Sequence, residues 1–237
     1  MTRNDGFATI GFAFGGFLLG QIAAVIMIVI AKSLANFHGS LSQLLKLGSP
    51  PWWFVAAELV GIWIGFGAAI AVVHHRHDVL RGVWRPRLSD VGYVVVGVGL
   101  QLVVDVLYAP FHSKSFGAPS QHLFGGASHV GFIVVAFLTA IGAPIVEETL
   151  FRGTLVPAFR ALFGSDTVRA TLLVIVADGL IFGLAHAEWV QLPGLAAVGM
   201  VLAWIFLRQR RLWPCIITHA SFNALAVISI AQHGGGW

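Results

Sequence analysis

The sequence predicts an all-α fold: a polytopic integral membrane helix bundle with about seven to eight transmembrane helices. Of the 237 residues, 57% are hydrophobic and only 10% are charged, and the mean hydropathy is +0.86. A water-soluble domain could not bury that much apolar surface. Apolar segments long enough to cross a hydrocarbon core of ~30 Å also recur along the whole chain. Because these segments are continuously apolar and do not alternate, they favour helices over barrel strands.

Seven segments carry this pattern, and the connections between them are short. The predicted spans are Phe7–Ala31, Trp52–Val73, Gly92–Phe111, His129–Val146, Val168–Ala187, Leu192–Leu207 and Pro214–Ala231. The first segment has no small-residue cleavage site after it and is too long for a signal-peptide core, so we expect it to remain as a membrane anchor. Since the chain has no linker and no internal repeat, we expect residues 1–237 to form a single membrane domain.

The Lys and Arg residues of the connections predict the orientation in the membrane. With the N-terminus inside, ten basic residues lie on the inner side: Arg3, Arg76, Arg81, Arg85, Arg87, Arg160, Arg169, Arg208, Arg210 and Arg211. The outer side holds three: Lys32, Lys46 and Lys114. The net charge of +4 therefore indicates orientation and contact with anionic lipid headgroups, and a nucleic-acid partner is not expected. We expect the plasma membrane of a prokaryote.

Two adjacent carboxylates follow the fourth apolar segment, in the stretch "EETLFR". Glu148 and Arg152 are four residues apart, so they share a helical face and can pair. Glu147 points about 100° away from Glu148 in a helix of 3.6 residues per turn, so it can face a cavity and serve as a general base. The alternative is a helix end at the membrane interface, with Glu148 and Arg152 as a solvated pair.

Two further stretches place polar side chains where a membrane makes them costly. "FGLAH" ends an apolar segment at His186, and "HASFN" puts His219 and Asn223 four residues apart on one face. A Glu base, a neighbouring His and a His/Asn donor pair supply the activated water and the oxyanion stabiliser that amide hydrolysis requires. The same Glu147, His186 and His219 could instead hold zinc with an open position for water. Both versions predict a hydrolase.

Together the three stretches resemble the CPBP family of intramembrane proteases (CAAX protease and bacteriocin-processing, or Abi), which is related to the type II CAAX prenyl endopeptidases. The family motifs Glu-Glu-x-x-x-Arg, Phe-x-x-x-His and His-x-x-x-Asn stand here as "EETLFR", "FGLAH" and "HASFN". The resemblance implies a protease core at approximately 129–231, with the helices of 7–111 as an accessory bundle.

The resemblance also implies an intramembrane endopeptidase acting on a CAAX-like, lipidated or membrane-inserted peptide. In that role Glu147 and His186 would activate the water, and His219 and Asn223 would form the oxyanion hole. Glu148 and Arg152 would shape the site. Whether zinc is the cofactor is left open, as is the oligomeric state.

Two other function classes are compatible with buried Glu, Asp and His. One is a proton-coupled transporter or channel, which would show two similar halves with matched broken helices. The other is a catalytically idle membrane scaffold. Asp178 shares the helical face of Phe182 and His186, and we expect it to play a structural role.

The straight spans contain one conflict about depth. They put Glu147 and His219 near the inner face but His186 near the outer end of its helix, about 27 Å from the helix start at 1.5 Å per residue. Either the segment from Gly153 to Gly164 continues the fourth helix, or the chain breaks near His186. We expect a short, kinked or partly spanning helix there.

Overall fold

The computed structural model describes residues 1–111, 123–125, 127–164 and 167–233, and its elements are helices. In chain order they are α1 (Arg3–Leu34), α2 (Leu41–Leu44), α3 (Trp52–His77), α4 (Tyr93–Tyr108), α5 (His129–Phe163), α6 (Val168–Ala185), α7 (Leu192–Gln209) and α8 (Leu212–His233). A 3₁₀ turn, Leu88–Gly92, leads into α4, and another, Ala109–Phe111, follows it.

Within these described ranges, seven helices are long and apolar enough to cross a membrane; only the single turn α2 is not. The prediction of an all-α membrane bundle is therefore confirmed. Lys114, one of the three basic residues predicted on the outer side, lies outside the described residues.

The predicted end of the fourth span at Val146 is wrong, because α5 continues to Phe163. Its 35 residues rise about 52 Å at 1.5 Å per residue. The apolar pattern stops where charged side chains begin, but the helix continues because its neighbours bury and pair those side chains. Glu147 thus lies near the middle of α5, and the extension through Gly153 resolves the conflict about depth.

The chain leaves the helix at His186 and stays non-helical through Gln191, as one of the two alternatives expected, but the helix before it is not kinked, and further irregular backbone lies within α5. α6 is an unbroken helix of 18 residues that ends at Ala185, whereas α5 contains two π-helical segments, Leu138–Gly142 and Phe151–Leu155. Each of them precedes a proline, Pro144 or Pro157, within the helix. A proline lacks the N–H of a regular turn and clashes with the carbonyl four residues before it, and a wider turn relieves both problems.

Glycines let the helices approach closely enough to leave no room for side chains at two interfaces. α1 and α3 pack with Gly16 and Gly20 against Gly65. In α6 and α7, a Cβ on Gly179 would lie 2.7 Å from the carbonyl oxygen of Ala196, and one on Gly199 would lie 2.9 Å from Cα of Gly179. Small residues at such contacts are typical of membrane helix packing, where dispersion takes the place of the hydrophobic effect.

The segment after α3 is hydrogen-bonded to the start of α8. Arg211 donates from Nη1 and Nη2 to the two carboxylate oxygens of Asp90, at 2.6 and 2.8 Å. The backbone N–H of Leu212 donates to the carbonyl of Val83, and the indole N–H of Trp213 to that of Trp84. These bonds hold the first turn of α8, two turns before His219, and so help to set the position of the polar residues on that helix.

The main apolar core lies between the helices of the C-terminal half and reaches into the N-terminal half. It contains buried side chains of α5, α6, α7 and α8, among them Phe151, Leu155, Phe182, Leu202 and Leu212, and of α1 and α3, namely Ala13, Phe66 and Ala69. The division into a protease core and an accessory bundle stays a prediction.

Candidate active site

Three helices bring one carboxylate and two imidazoles together. Glu147, from the middle of α5, directs Oε2 toward Nε2 of His186 at the end of α6, at 3.8 Å. The same oxygen lies 3.9 Å from Nε2 of His219 on α8. Both gaps exceed a direct hydrogen bond and have the length that one bridging water molecule spans.

The hydrogen bonds at the far side of each ring define which nitrogen faces Glu147. Nδ1 of His186 lies 2.8 Å from the carbonyl oxygen of Phe182, one turn earlier in α6. Nδ1 of His219 lies 2.8 Å from Oε1 of Glu148. A carbonyl and a carboxylate can only accept, so in both rings Nδ1 carries the proton and donates. Nε2 is left to face Glu147 in each case.

Glu148 and Arg152 form a fully buried pair, so the alternative of a solvated pair at the membrane interface is wrong. Neither side chain is exposed to solvent. Nη1 of Arg152 donates to Oε1 of Glu148 at 3.0 Å, the same oxygen that accepts from His219. Nη2 of Arg152 donates to the carbonyl of Gly199 on α7 at 2.9 Å.

Asp178 faces the third side of the guanidinium. Its Oδ2 lies 3.4 Å from Nε of Arg152, and both side chains are fully buried. The contact therefore crosses from α6 to α5, as expected for a structural role. A buried charge is tolerated when it is paired, and here two carboxylates flank one guanidinium.

The phenylalanine of "FGLAH" lies between the guanidinium of Arg152 and the two imidazole rings. The ring of Phe182 stands 4.6 Å from the guanidinium carbon of Arg152, and its centroid lies 4.7 Å from the His186 ring and 5.6 Å from the His219 ring. Phe182 thus covers Arg152 by a cation–π contact and fills the space between the two imidazoles.

The amide of Asn223 is anchored on α5. Its Nδ2 donates to the carbonyl oxygen of Thr139 at 2.9 Å. That carbonyl has no helical donor, because the N–H of Ala143 goes to Leu138 and Pro144 has none. The π segment therefore creates the acceptor that holds Asn223, while the second amide hydrogen remains for another partner.

Burial differs sharply between the two adjacent carboxylates. Glu148 is 0% exposed, whereas Glu147 is 16% and His186 is 30% exposed. Glu147 and His186 are thus the partly exposed members of the cluster, although Oε2 of Glu147 is itself buried and has no hydrogen-bond partner among the described residues. The partly exposed side of the cluster therefore carries Glu147 and His186, and its buried side carries the charged pair of Glu148 and Arg152.

The described part of the chain contains no group of three or more His, Cys, Asp or Glu side chains that could hold a metal ion. Ligand bonds of about 2.0–2.2 Å in a tetrahedral zinc site place neighbouring ligand atoms closer together than the gaps around Glu147. In this geometry Glu147, His186 and His219 do not form a ligand set. The possibility of zinc at these residues stays a prediction.

The structure brings together Glu147, Glu148, Arg152, His186 and His219, all named from the sequence, and it ties Asn223 to Thr139. The sequence did not indicate the carbonyls of Gly199 and Thr139, and it named Phe182 as part of a motif without giving its ring a role. Pro144 was the available signal for a free carbonyl four to five residues earlier, but no local signal indicates that Gly199 meets Arg152.

These observations define a class: an integral membrane helix bundle with a buried acid–base cluster. Residues 129–225 match the sequence model of the family described as type II CAAX prenyl endopeptidase Rce1-like. This segment includes all three motifs, and its match to the family model bears out the resemblance.

Two curated bacterial proteins are similar to the chain. One is a provisionally assigned membrane peptidase, YdiL of Bacillus subtilis (strain 168), 30% identical over 95 residues, which are 40% of this chain and 36% of YdiL. The other is the membrane-embedded CAAX protease MroQ of Staphylococcus aureus (strain USA300), 25% identical over 151 residues, 62% of this chain and 60% of MroQ. The matches thus span about a third and three fifths of the relatives' own lengths. No solved structure matches the chain significantly.

Proposed function

We propose that this protein is an intramembrane endopeptidase that hydrolyses a peptide bond with a water molecule activated by Glu147 and His186. The observation that carries the proposal is the position of Glu147 Oε2 within 4 Å of the Nε2 atoms of both histidines. The family of residues 129–225 and the names of the two relatives support it.

The first step is attack by water on the substrate carbonyl. A water molecule bridging Glu147 Oε2 and His186 Nε2 would donate one hydrogen to each. Glu147 takes one proton from the water as its oxygen bonds to the carbonyl carbon, giving a tetrahedral oxyanion. The proton then passes to the amine nitrogen as the C–N bond breaks, which leaves a free carboxylic acid and a free amine.

The oxyanion needs donors that are already in position, because donors that must move contribute little. His219 offers Nε2–H when its ring carries both protons, and Asn223 offers its second amide hydrogen. Both side chains are held from behind, His219 by Glu148 and Asn223 by Thr139. Glu148 and Arg152 act in this proposal as the buried frame of the site.

We propose a membrane-inserted or lipidated peptide of the CAAX type as substrate. MroQ, which is named a CAAX protease, supports this choice, and the seven apolar helices support a peptide that reaches the site from the bilayer. A prokaryotic plasma membrane with the N-terminus inside agrees with the bacterial relatives and with the basic inner connections.

The test is turnover of a quenched-fluorescent lipidated peptide by the purified protein in detergent. Glu147→Gln should lower kcat at least ~100-fold, since a general base contributes about 10²–10⁴ to the rate. The matched control is Asp105→Asn, which removes a carboxylate of α4 that is bonded to Gln101 and lies outside the cluster. It should turn over like the wild type.

A strong chelator separates the two hydrolytic mechanisms. Activity that survives the chelator but is lost in Glu147→Gln supports water activation by glutamate and histidine alone. Activity lost in the chelator and restored by zinc would replace that mechanism with zinc held by Glu147, His186 and His219. Equal activity of Glu147→Gln and the wild type would contradict both, and no turnover with any lipidated or membrane-inserted peptide would favour the idle scaffold.

A further inference from the structure

Asp178 is a fully buried carboxylate that the three sequence motifs do not include. It lies on the face of α6 that also carries Phe182 and His186, about 12 Å from His186 along the helix at 1.5 Å per residue. Neither of its oxygens has a hydrogen-bond partner among the described residues. Its charged partner within the described part of the chain is Nε of Arg152, at 3.4 Å.

The guanidinium of Arg152 is held from three sides by three helices. Glu148 on α5 and the Gly199 carbonyl on α7 accept from its two terminal nitrogens. Asp178 on α6 faces its third nitrogen, and the ring of Phe182 covers its plane. Contacts on three sides restrict the orientation of this rigid, flat group.

Oε1 of Glu148 connects this arrangement to the site. The same oxygen accepts from Arg152 Nη1 at 3.0 Å and from His219 Nδ1 at 2.8 Å. With Asp178 charged, the guanidinium has a counter-charge on each of two sides. Without that charge, Glu148 is the only counter-charge in contact with the guanidinium, so Arg152 competes more strongly with His219 for the shared oxygen. A displaced Oε1 then turns the ring of His219 and moves Nε2 away from Glu147.

We propose that Asp178 is a positioning residue for the hydrolytic site, acting through Arg152 and Glu148 on the orientation of His219. The proposal rests on the proposed function for its kinetic consequence, and on geometry alone for the orientation of His219. Asp178 contacts neither water nor substrate; it fixes the orientation of His219, which would contact the oxyanion.

The first experiment compares Asp178→Asn with Asp105→Asn in the lipidated-peptide assay. Asparagine keeps the shape and removes the charge, and misplacement of a catalytic group by a fraction of an ångström to 1 Å lowers rates by about 10- to 100-fold. We expect kcat to fall in this range with KM within about twofold, while Asp105→Asn stays unchanged. Turnover of Asp178→Asn at the wild-type rate would overturn the proposal and leave the proposed function intact.

Two further variants separate positioning from packing. Asp178→Glu keeps the charge and should retain most of kcat; losses equal to those of Asp178→Asn would show that side-chain shape alone matters and would contradict the proposal. In an Arg152→Lys background, which has no Nε, Asp178→Asn should have no further effect on kcat. Multiplying losses would mean that Asp178 does not act through Arg152.

An NMR measurement tests the orientation of His219 even if no peptide is cleaved. The proton on Nδ1 of His219, bonded to a buried carboxylate, should give a downfield NMR resonance that is absent from His219→Gln. We expect this resonance to shift or broaden in Asp178→Asn and to stay in place in Asp105→Asn. An unmoved resonance would overturn the positioning role, whatever the fate of the peptide assay.

Discussion

The two adjacent carboxylates of the first motif have different surroundings although they are consecutive in the chain. Glu147 is partly exposed and lies beside two imidazoles, whereas Glu148 is fully buried and bonded to Arg152 and His219. A rotation of about 100° between consecutive helical residues separates the partly exposed position from the fully buried one. We infer that the motif needs two glutamates because a single carboxylate cannot be both open and fully paired.

Replacing Arg152 should affect folding as well as turnover. Arg152→Leu leaves Glu148 and Asp178 buried without their cation, and removing one partner of a buried pair costs about 3–5 kcal/mol. The measurement is the midpoint of unfolding in detergent for both proteins. Arg169→Gln, an exposed arginine near the start of α6, is the control and should change stability by less than about 0.5 kcal/mol. Equal midpoints for Arg152→Leu and the wild type would contradict the pairing.

Among the helices, α5 provides a free backbone carbonyl that a regular helix would use in its own hydrogen bonding. The π segment Leu138–Gly142 redirects the N–H of Ala143 to Leu138, and Pro144 contributes none, so the carbonyl of Thr139 is free for Asn223. π-bulges within α-helices often occur at functional sites. Here the segment joins α5 to α8 near the cluster.

Pro144→Ala should therefore reduce peptide turnover without unfolding the protein. Alanine restores an N–H, which lets the segment rewind into a regular α-helix and compete with Asn223 for the Thr139 carbonyl. We expect kcat to fall about 10-fold or more, with the melting temperature unchanged or raised. Pro193→Ala, at the first turn of α7 where a missing N–H is harmless, should behave like the wild type. Normal turnover by Pro144→Ala would show that the free carbonyl is not needed.

The contact between α6 and α7 depends on glycine, because the Gly199 carbonyl reaches Arg152 only if the two helices approach closely. A Cβ at Gly179 would meet backbone atoms of Ala196 and Met200 at 2.7 and 2.8 Å. We expect Gly179→Ala to destabilise the protein by about 1–3 kcal/mol, read from thermal unfolding. Gly15→Ala on α1, where a Cβ meets open space, should leave stability unchanged or raise it by up to about 1 kcal/mol. Similar losses in both variants would mean that the close approach has no special role.

For the whole molecule, the seven spans and the basic connections predict one orientation. With Arg3 inside, the end of α8 at residue 233 should lie outside, because an odd number of crossings separates them. An alkaline phosphatase fused after α8 should be active, and green fluorescent protein fused there should stay dark. A fusion at Gly82, between α3 and α4, should show the reverse. Fluorescence from the fusion after α8 would require either the opposite orientation or a different number of spans.

The helix content, the apolar segments and the three motifs followed from the sequence, because each depends on residues close together in the chain. Hydropathy is an average over neighbouring residues, so it identifies apolar segments directly. The pairing of Glu148 with Arg152 follows from the periodicity of a helix, which places residues four apart on one face. The same local averaging ended the fourth span too early, at the first charged residues.

Tertiary structure alone decided the contacts that make these residues a site. Glu148 meets His219, 71 residues away, and Arg152 meets Gly199, 47 residues away. Such contacts depend on how glycine-rich faces, prolines and π segments set the distance and rotation between helices, and no local pattern encodes them. Hydropathy treats a charged residue as the end of an apolar span. Such a residue is nevertheless stable inside a membrane bundle when side chains and carbonyls of other helices pair with it.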